Sequence, residues 1–358
     1  MIGALALILL AGPSDWASPV RPVVAPPAEA DLRRMLGVAK TKVVVRKNLL
    51  TFVAQGTESP LRPPSFMPEM QRLAGTDLWF SQANYDHWDR SFFSYTVVDG
   101  EKMKIESFFG ARAPKRPKPS VTLTGTITTH KIASKYLDEE REVTVYMPKS
   151  SRPNMPVVYA ADNTAEAYGR LVDSLIAQGK VSPFAIVGIQ PGGYRGKPGT
   201  DYDFDLDFRA KEYLKQFDPE RYAKHLDFVE KEVMPWAESK FGLSNRRENR
   251  VLTGFSNGGA FALTASVDRP HLFGTVMAFS IAAYDQDSFK IAVQNKTLPR
   301  YEIAAGKLEP FIRGSEAART TLEAANAKVR FTAFESGHEW EMWCIAFIES
   351  IRRCFPPG

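Results

Sequence analysis

The chain has 358 residues, of which 44% are hydrophobic, so it is long enough for two domains and a sizeable apolar core. Its 46 basic and 41 acidic residues give a net charge of only +5, with both signs interspersed, and this composition does not indicate a nucleic-acid partner. The sequence shows no phosphate-binding loop, no zinc-type ligand spacing and no internal repeat, so we expect neither a cofactor nor a metal.

Residues 1–30 begin with an apolar run, residues 1–12, that is too short to span a bilayer. The run resembles the hydrophobic part of a signal peptide, with small residues near positions 11–18 for cleavage, although no basic segment precedes it. We therefore expect a signal-like, unstructured N-terminus without stable membrane insertion. A periplasmic or secreted location is favoured, and a cytoplasmic one is the alternative.

Residues 31–110 show short strand patterns separated by turn signals, as in a small all-β domain. The strands are predicted at residues 41–45, 49–54, 77–80 and 91–98. Strands of this length and spacing favour a β-sandwich. Trp79, Tyr85 and Trp88 would form either a ligand platform or part of the core, and core is the commoner place for such rings.

Residues 111–120 are rich in proline and basic residues, which predicts a stiff linker. From residue 121 to 358, predicted strands alternate with predicted helices, the pattern of an α/β domain with a mostly parallel sheet and helices on both faces. One helix is predicted at residues 219–240, with an apolar stripe of Tyr222, Leu226, Val229, Val233 and Trp236. On the same helix, His225 is predicted to lie on the solvated face.

The segment from Gly254 to Gly258 has the pattern G-x-S-x-G and lies between a predicted strand at 249–253 and a predicted helix at 260–265. Strand, tight turn and helix in this order are the context of a nucleophile elbow. Small residues around Ser256 permit the turn, and the N-terminus of the helix favours negative charge beside it. Ser256 is therefore the candidate nucleophile.

The candidate base is His338, one of five histidines, which follows a predicted strand at 329–334 late in the chain. Hydrolases with such an elbow order their residues as nucleophile, acid and base. Glu309, in the loop after a predicted strand at 301–305, is the preferred acid. Asp285 and Asp287, in the loop after the preceding predicted strand, remain alternatives.

An oxyanion hole would combine the backbone N–H of Asn257 with one from the loop after a predicted strand at 155–161. Asn163 is the preferred second donor, and Asp162 is the next choice.

Five segments in the expected order resemble the putative-esterase branch of the α/β-hydrolases, which includes enterochelin (enterobactin) esterases, feruloyl esterases and mycolyltransferases: residues 158–163, 209–214, 254–259, 306–311 and 337–340. The resemblance runs from about residue 121 to 355 and implies an α/β-hydrolase fold with serine carboxylesterase activity. It also implies a structural pair between Arg209 and Glu212 near the active site. At Asn163, many relatives carry glycine.

Residues 75–100 resemble the early-set immunoglobulin-like domain that precedes the hydrolase in enterochelin esterases, and they are also similar to glycan-binding modules of that fold. The resemblance implies an immunoglobulin-like sandwich at 31–110, and its similarity to glycan-binding modules implies a glycan contact through this domain.

The substrate is expected to meet a glycine-rich loop at 190–199, which follows a predicted strand at 184–189 and carries Arg195 and Lys197. With Arg209 and Lys307, these cations would receive an anionic or catecholate-bearing ester, and a solvated basic loop is the alternative. Trp340 would add an aromatic wall.

Two other patterns have weaker implications. An acidic run from Asp201 to Glu212 nearly matches a calcium loop, but Leu206 stands where the sharp turn needs glycine, so we expect solvated aspartates. Cys344 and Cys354 are ten residues apart on one predicted helix, about 15 Å, which is too far for a disulfide unless the tail folds back.

Three functions compete. The leading hypothesis is a serine carboxylesterase of enterochelin-esterase type that acts on a small-molecule or oligomeric ester. The second is an esterase that removes feruloyl or acetyl groups from xylan-type polysaccharide. The third is a glycan-binding protein whose hydrolase domain is inactive, and the presence of both Ser256 and His338 argues against it.

Overall fold

The computed structural model describes residues 17–197 and 201–358, so the signal-like apolar run at residues 1–12 lies outside the described residues. Within the described ranges, no helix is both long and apolar enough to cross a bilayer. Part of the segment that was expected to be unstructured is ordered: Arg21 and Pro22 pair with Asn84 and Ala83 as a short strand.

From residue 17 onward, where the structure describes the chain, the N-terminal part contains helix α1 (Glu29–Leu36) and eight short strands: β1 (Arg21–Pro22), β2 (Thr41–Arg46), β3 (Leu49–Gln55), β4 (Leu61–Arg62), β5 (Gln71–Arg72), β6 (Leu78–Asn84), β7 (Phe92–Asp99) and β8 (Lys102–Phe109). One antiparallel sheet has the order β1-β6-β3-β2, with β5 paired to β6. The other has the order β4-β7-β8. The predicted strands correspond to β2, β3, β6 and β7.

The two N-terminal sheets share one apolar core, so they form a sandwich. Phe52 of β3 and Phe93 of β7 are both buried, and their ring centroids lie 6.1 Å apart. Tyr85 and Trp88 belong to the same core rather than to an exposed platform. Trp79 is half-buried, and its indole N–H donates to the carbonyl of Gly56.

The C-terminal part is built on eight strands: β9 (Thr126–Ser134), β10 (Glu139–Met147), β11 (Val157–Ala160), β12 (Ala185–Ile189), β13 (Arg250–Phe255), β14 (Thr275–Phe279), β15 (Arg300–Gly306) and β16 (Val329–Phe334). Their order in the sheet is β16-β15-β14-β13-β11-β12-β10-β9. The six strands from β11 to β16 are parallel, and β9 and β10 are antiparallel. The mostly parallel sheet is confirmed.

Helices cover both faces of this sheet: α2 (Ala165–Ala177), α3 (Phe208–Tyr213), α4 (Pro219–Phe228), α5 (Met234–Phe241), α6 (Asn257–Asp268), α7 (Gln286–Ala292), α8 (Phe311–Ala324) and α9 (Trp340–Cys354). Residues of α4, α6 and α8 pack in one core cluster, and residues of α2 and α9 pack in the other. Cys344 and Cys354 both lie on α9 as free thiols.

The helix predicted at 219–240 is interrupted by a π-helical turn, Val229–Val233, between α4 and α5. Pro235 explains the interruption, because proline lacks the N–H for an i→i−4 bond and its ring displaces the preceding turn. The prediction for His225 is wrong: this side chain is only 1% exposed, and its Nδ1 lies 3.3 Å from Oε2 of Glu212. Glu212 belongs to α3, which packs against the face of α4 that carries His225 and so shields this side chain from solvent.

Candidate active site

Ser256 forms the turn between β13 and α6 with a strained backbone, at φ 57° and ψ −126°. Two glycines make the turn possible. A Cβ on Gly254 would lie 2.1 Å from the carbonyl oxygen of Gly258, and one on Gly259 would lie 2.6 Å from that of Phe279. The N–H of Ser256 donates to the same Phe279 carbonyl at 3.0 Å, which fixes the turn against β14.

Ser256, His338 and Glu309 form a continuous row of polar contacts. Nε2 of His338 lies 3.1 Å from Oγ of Ser256, and its Nδ1 lies 2.5 Å from Oε2 of Glu309. They come from the turn after β13 and the loops after β16 and β15, so they meet at the carboxyl edge of the parallel strands. Glu309 is only 1% exposed. The structure thus brings together the three residues that the sequence singled out.

The other carboxylate oxygen of Glu309 is held by two donors that the sequence did not indicate. Oε1 accepts hydrogen bonds from Oγ of Ser280 and from the N–H of Gly306, each at 2.7 Å. Ser280 in turn accepts a 2.8 Å bond from the indole N–H of Trp343. In the sequence, only the position of Ser280 directly after β14 indicated that it would lie at the same edge of the sheet as the catalytic candidates.

The alternative acids lie elsewhere. Asp285 is exposed and caps α7, where it accepts a 3.0 Å bond from the N–H of Ser288. Asp287 is also exposed and pairs with Lys290 at 3.4 Å. Of the three candidate acids, Glu309 is the one that contacts His338.

The loop after β11 lies against the elbow in a left-handed conformation, with φ 58° at Asp162 and 52° at Asn163. The N–H of Asp162 already donates to the hydroxyl of Tyr213 at 2.9 Å. The carboxylate of Asp162 accepts two bonds from Arg209, at 2.6 and 2.9 Å. A Cβ on Gly258 would lie 3.0 Å from this carboxylate, so the loop and the elbow are in close contact.

Arg195, Arg209 and Lys307, which were predicted to bind substrate, have carboxylate partners within the protein. Arg195 binds Glu139 at 2.8 Å and lies over the ring of Phe208. Lys307 binds Glu335 at 2.7 Å. Lys197 is exposed at the end of the described part of its loop, and the structure does not describe residues 198–200. Arg195 and Lys307, like Arg209, are therefore neutralised locally.

The pair that the resemblance implied between Arg209 and Glu212 is wrong for this chain. Arg209 binds Asp162, whereas Glu212 is fully buried and accepts bonds from Arg141 and Arg221. Burial raises the pKa of Glu212, but the contact with His225, the charge of Arg141 and the 2.6 Å bond from Gly192 N–H outweigh it and lower this pKa to about 2. Glu212 thereby ties α3 to the loop after β12.

Aromatic rings surround His338. The ring centroid of Phe311 lies 4.7 Å from the imidazole and that of Trp343 lies 4.9 Å away. Trp343 also stacks on Phe255 at 4.0 Å and is buried. Trp340 is half-buried and stacks on a tyrosine of α2, so one of its faces is covered.

The acidic run at 201–212 caps helices. Asp203 accepts a bond from the N–H of Asp205, and Asp207 accepts one from the N–H of Ala210 at the start of α3. Across residues 17–197 and 201–358, no group of three or more acidic, histidine or cysteine side chains has the arrangement of a metal site.

Comparison with known families identifies the fold and the reaction class. Residues 134–354, more than half of the chain, match the family model described as Putative esterase. The chain belongs to this family. It is a carboxylic ester hydrolase with an α/β-hydrolase-like fold.

The proteins to which this chain is similar have low sequence identity to it. The enterochelin esterase of Shigella flexneri is 16% identical with a TM-score of 0.67, over 94% of this chain and 99% of its own. A ferulic acid esterase from Anaeromyces mucronatus is 22% identical with a TM-score of 0.51, over 66% of this chain and 93% of its own. The uncharacterized protein YjcH of Bacillus subtilis (strain 168) is 23% identical over 239 residues, which are 61% of this chain and 93% of that protein.

Proposed function

We propose that this esterase works through an acyl-enzyme on Ser256, with His338 as the general base and Glu309 as the acid that orients it. The row of contacts from Ser256 Oγ to His338 Nε2 and from His338 Nδ1 to Glu309 Oε2 supports this assignment. A serine hydroxyl is a weak nucleophile unless a base within hydrogen-bond reach takes its proton.

The proposed reaction passes through this acyl-enzyme. Oγ of Ser256 attacks the ester carbonyl carbon while its proton moves to Nε2 of His338. The buried carboxylate of Glu309 stabilises the imidazolium through the Nδ1 proton. His338 then gives the proton to the leaving alkoxide, and the carbonyl re-forms as the acyl-enzyme. A water molecule, activated by His338, repeats the attack and releases the carboxylic acid.

The oxyanion of each tetrahedral intermediate is assigned to the backbone N–H groups of Asn257 and Asn163. Asn257 is the first residue of α6, so its N–H has no partner within the helix and the helix dipole adds to it. Asp162 is the weaker candidate, because its N–H already donates to Tyr213.

For the substrate, we propose an ester of enterochelin type. The structural match to the enterochelin esterase includes the N-terminal part of the chain, since it covers 94% of the residues. Accordingly, we propose an immunoglobulin-like domain at 31–110, a linker at 111–120 and the esterase domain at 121–358. Because Arg195, Arg209 and Lys307 are paired within the protein, the substrate would be held by hydrogen bonds and aromatic contacts more than by unpaired charge.

A feruloyl or acetyl-xylan esterase is the second candidate. The likeness of the C-terminal part to a ferulic acid esterase favours it. An inactive glycan-binding protein is disfavoured, because Ser256 and His338 are in contact and the rings of Tyr85 and Trp88 are buried.

The substrate proposal is tested by incubating the purified full chain with enterobactin, with its ferric complex and with feruloylated xylan, and by measuring the released acids chromatographically. We expect hydrolysis of enterobactin, and we expect Trp340→Leu to raise KM more than it lowers kcat, since Trp340 only lines the site. Turnover of feruloylated xylan without any turnover of enterobactin would contradict the siderophore assignment and leave the esterase mechanism standing.

A further inference from the structure

The segment 335–339, which carries His338, is bonded to the first residue of β7 in the N-terminal sandwich. The N–H of Phe92 donates to the carbonyl of Glu335 at 3.1 Å. The hydroxyl of Ser336, which is fully buried, donates to the carbonyl of Phe92 at 2.7 Å. The N–H and the carbonyl of Phe92 are thus both hydrogen-bonded to the first two residues of this segment, Glu335 and Ser336.

An aromatic ring of the sandwich also presses on the residue before His338. A Cβ on Gly337 would lie 2.8 and 2.9 Å from two ring carbons of Phe66, closer than such atoms approach. Phe66 packs edge-on against Phe93 at 5.4 Å and lies 6.4 Å from Trp88. The ring therefore reaches the segment from the core of the sandwich.

The residue after His338 is bound from the same side. Glu339 is 8% exposed, and its carboxylate accepts a hydrogen bond from the N–H of Ser94 in β7. Burial raises the pKa of Glu339 to about 8, although the bond from Ser94 acts in the opposite direction. Burying a carboxyl group costs free energy unless the group is hydrogen-bonded, so the bond from Ser94 N–H favours this one placement of Glu339 between the two parts of the chain.

The loop of the catalytic acid touches the sandwich as well. Leu308, which precedes Glu309, is buried in the apolar cluster of the sandwich. The hydroxyl of Tyr85 donates to the side chain of Glu335, whose other oxygen binds Lys307. The loop that carries His338 and the loop that carries Glu309 are therefore both held by contacts with the N-terminal sandwich.

We propose that the N-terminal sandwich is a positioning element of the esterase site, which fixes His338 against Ser256 through the contacts of Phe66, Phe92 and Ser94. This inference rests on the proposed role of His338. Its consequence is that the sandwich controls the rate of the chemical step rather than only stabilising the fold. A displacement of about 1 Å at a reacting group costs about a hundredfold in rate.

The contact between Phe66 and Gly337 provides a double-mutant test with p-nitrophenyl acetate as the substrate. Gly337→Ala adds a methyl group where the ring lies, so kcat should fall about a hundredfold while KM changes little. Phe66→Ala alone should lower kcat severalfold by loosening the segment. In the double variant the methyl group has room, so kcat should be about tenfold higher than in Gly337→Ala alone.

A matched control is Gly314→Ala on α8, where a Cβ would meet only an ordinary contact of 3.5 Å, and its kcat should stay unchanged. Ser336→Ala tests the same idea without added volume, because it removes the bond to Phe92 and should lower kcat at nearly constant KM. Thermal unfolding of each variant establishes that it is folded.

Wild-type kcat in Gly337→Ala, or a double variant no faster than Gly337→Ala, would overturn the positioning role. If Gly337→Ala does not fold, an unchanged kcat in Ser336→Ala would overturn it in the same way. Ser256→Ala is measured in parallel. If Ser256→Ala retains turnover, the serine mechanism itself fails; if it is inactive while the double-mutant rescue is missing, only the role of the sandwich fails.

Discussion

The hydroxyl of Ser280 donates a 2.7 Å hydrogen bond to Oε1 of Glu309. A second donor, the N–H of Gly306, reaches the same oxygen at the same distance. Because Oε1 is satisfied in this way, Oε2 is left to face Nδ1 of His338. A carboxylate that orients a histidine must itself be oriented, and here the loops after β14 and β15 share that task.

Ser280→Ala should lower kcat/KM by about tenfold, because a hydrogen bond to a charged group is worth about 1.5–3 kcal/mol and the indole N–H of Trp343 loses its acceptor as well. Steady-state kinetics with p-nitrophenyl butyrate measures the effect. Ser266→Ala is the matched control, since Ser266 is equally buried but bonds to Tyr301 and Leu263. Equal rates in the two variants would show that Ser280 does not support the acid.

Glu309→Gln should reduce kcat by about 10³- to 10⁴-fold, because it removes the charge that stabilises the imidazolium and favours the wrong tautomer. Asp285→Asn and Asp287→Asn should leave kcat unchanged, since both side chains are exposed and asparagine caps a helix as well as aspartate. The comparison uses the same ester and the same pH for all three variants. A larger loss of kcat in Asp285→Asn or Asp287→Asn than in Glu309→Gln would refute the assignment of Glu309 as the acid.

Arg209→Ala should lower kcat by about tenfold or more, because the released Asp162 no longer fixes the left-handed loop that carries the N–H of Asn163. Arg209→Lys should recover only part of the rate, since lysine does not form the bidentate pair. Arg33→Ala, which breaks an exposed ion pair with Glu29, serves as the control and should be silent. An Arg209→Ala variant with a higher KM at unchanged kcat would instead indicate a direct contact with substrate.

Glu339→Gln should change the pH dependence of stability. The folded state raises the pKa of Glu339 from 4.5 to about 8, so between these values it keeps a proton that the unfolded chain releases. The free energy of unfolding of the wild type therefore falls as the pH rises through that window. Glutamine still accepts the hydrogen bond from Ser94 but does not titrate, so the variant does not show this fall. From pH 5 to pH 8.5, the free energy of unfolding in urea should shift in favour of the variant by at least about 1 kcal/mol.

The exposed Glu58 provides the control for this measurement, and Glu58→Gln should follow the wild type at both pH values. A constant difference between wild type and Glu339→Gln at pH 5 and pH 8.5 would show that Glu339 is ionised throughout.

Local patterns predicted the fold and the neighbourhood of the site. The turn at Ser256 needs small residues at positions adjacent in sequence, so Gly254 and Gly258 indicated it directly. The parallel sheet followed from the alternation of strands and helices, which is also a local property. The interruption of the helix at 219–240 was readable from Pro235, although the apolar stripe alone suggested a continuous helix.

Long-range contacts were beyond the sequence. His225 was predicted to face solvent because the periodicity of its own helix carries no information about neighbouring helices. In the structure, the buried carboxylate of Glu212, on another helix, lies against His225. The partners of Arg195 and Lys307 likewise come from distant segments, so the sequence showed cations and not ion pairs. The approach of Phe66 to Gly337 joins two parts of the chain that no periodicity relates.

The central claim is that Ser256 forms the acyl-enzyme. The most direct measurement is intact-protein and peptide mass spectrometry after reaction with a p-nitrophenyl alkylphosphonate, together with the turnover of p-nitrophenyl butyrate by the same samples. We expect one phosphonyl group on the peptide that contains Ser256 in the wild type, none in a folded Ser256→Ala variant, and a loss of turnover of about 10⁴-fold or more in that variant. A labelled residue other than Ser256, or wild-type turnover by Ser256→Ala, would contradict the account.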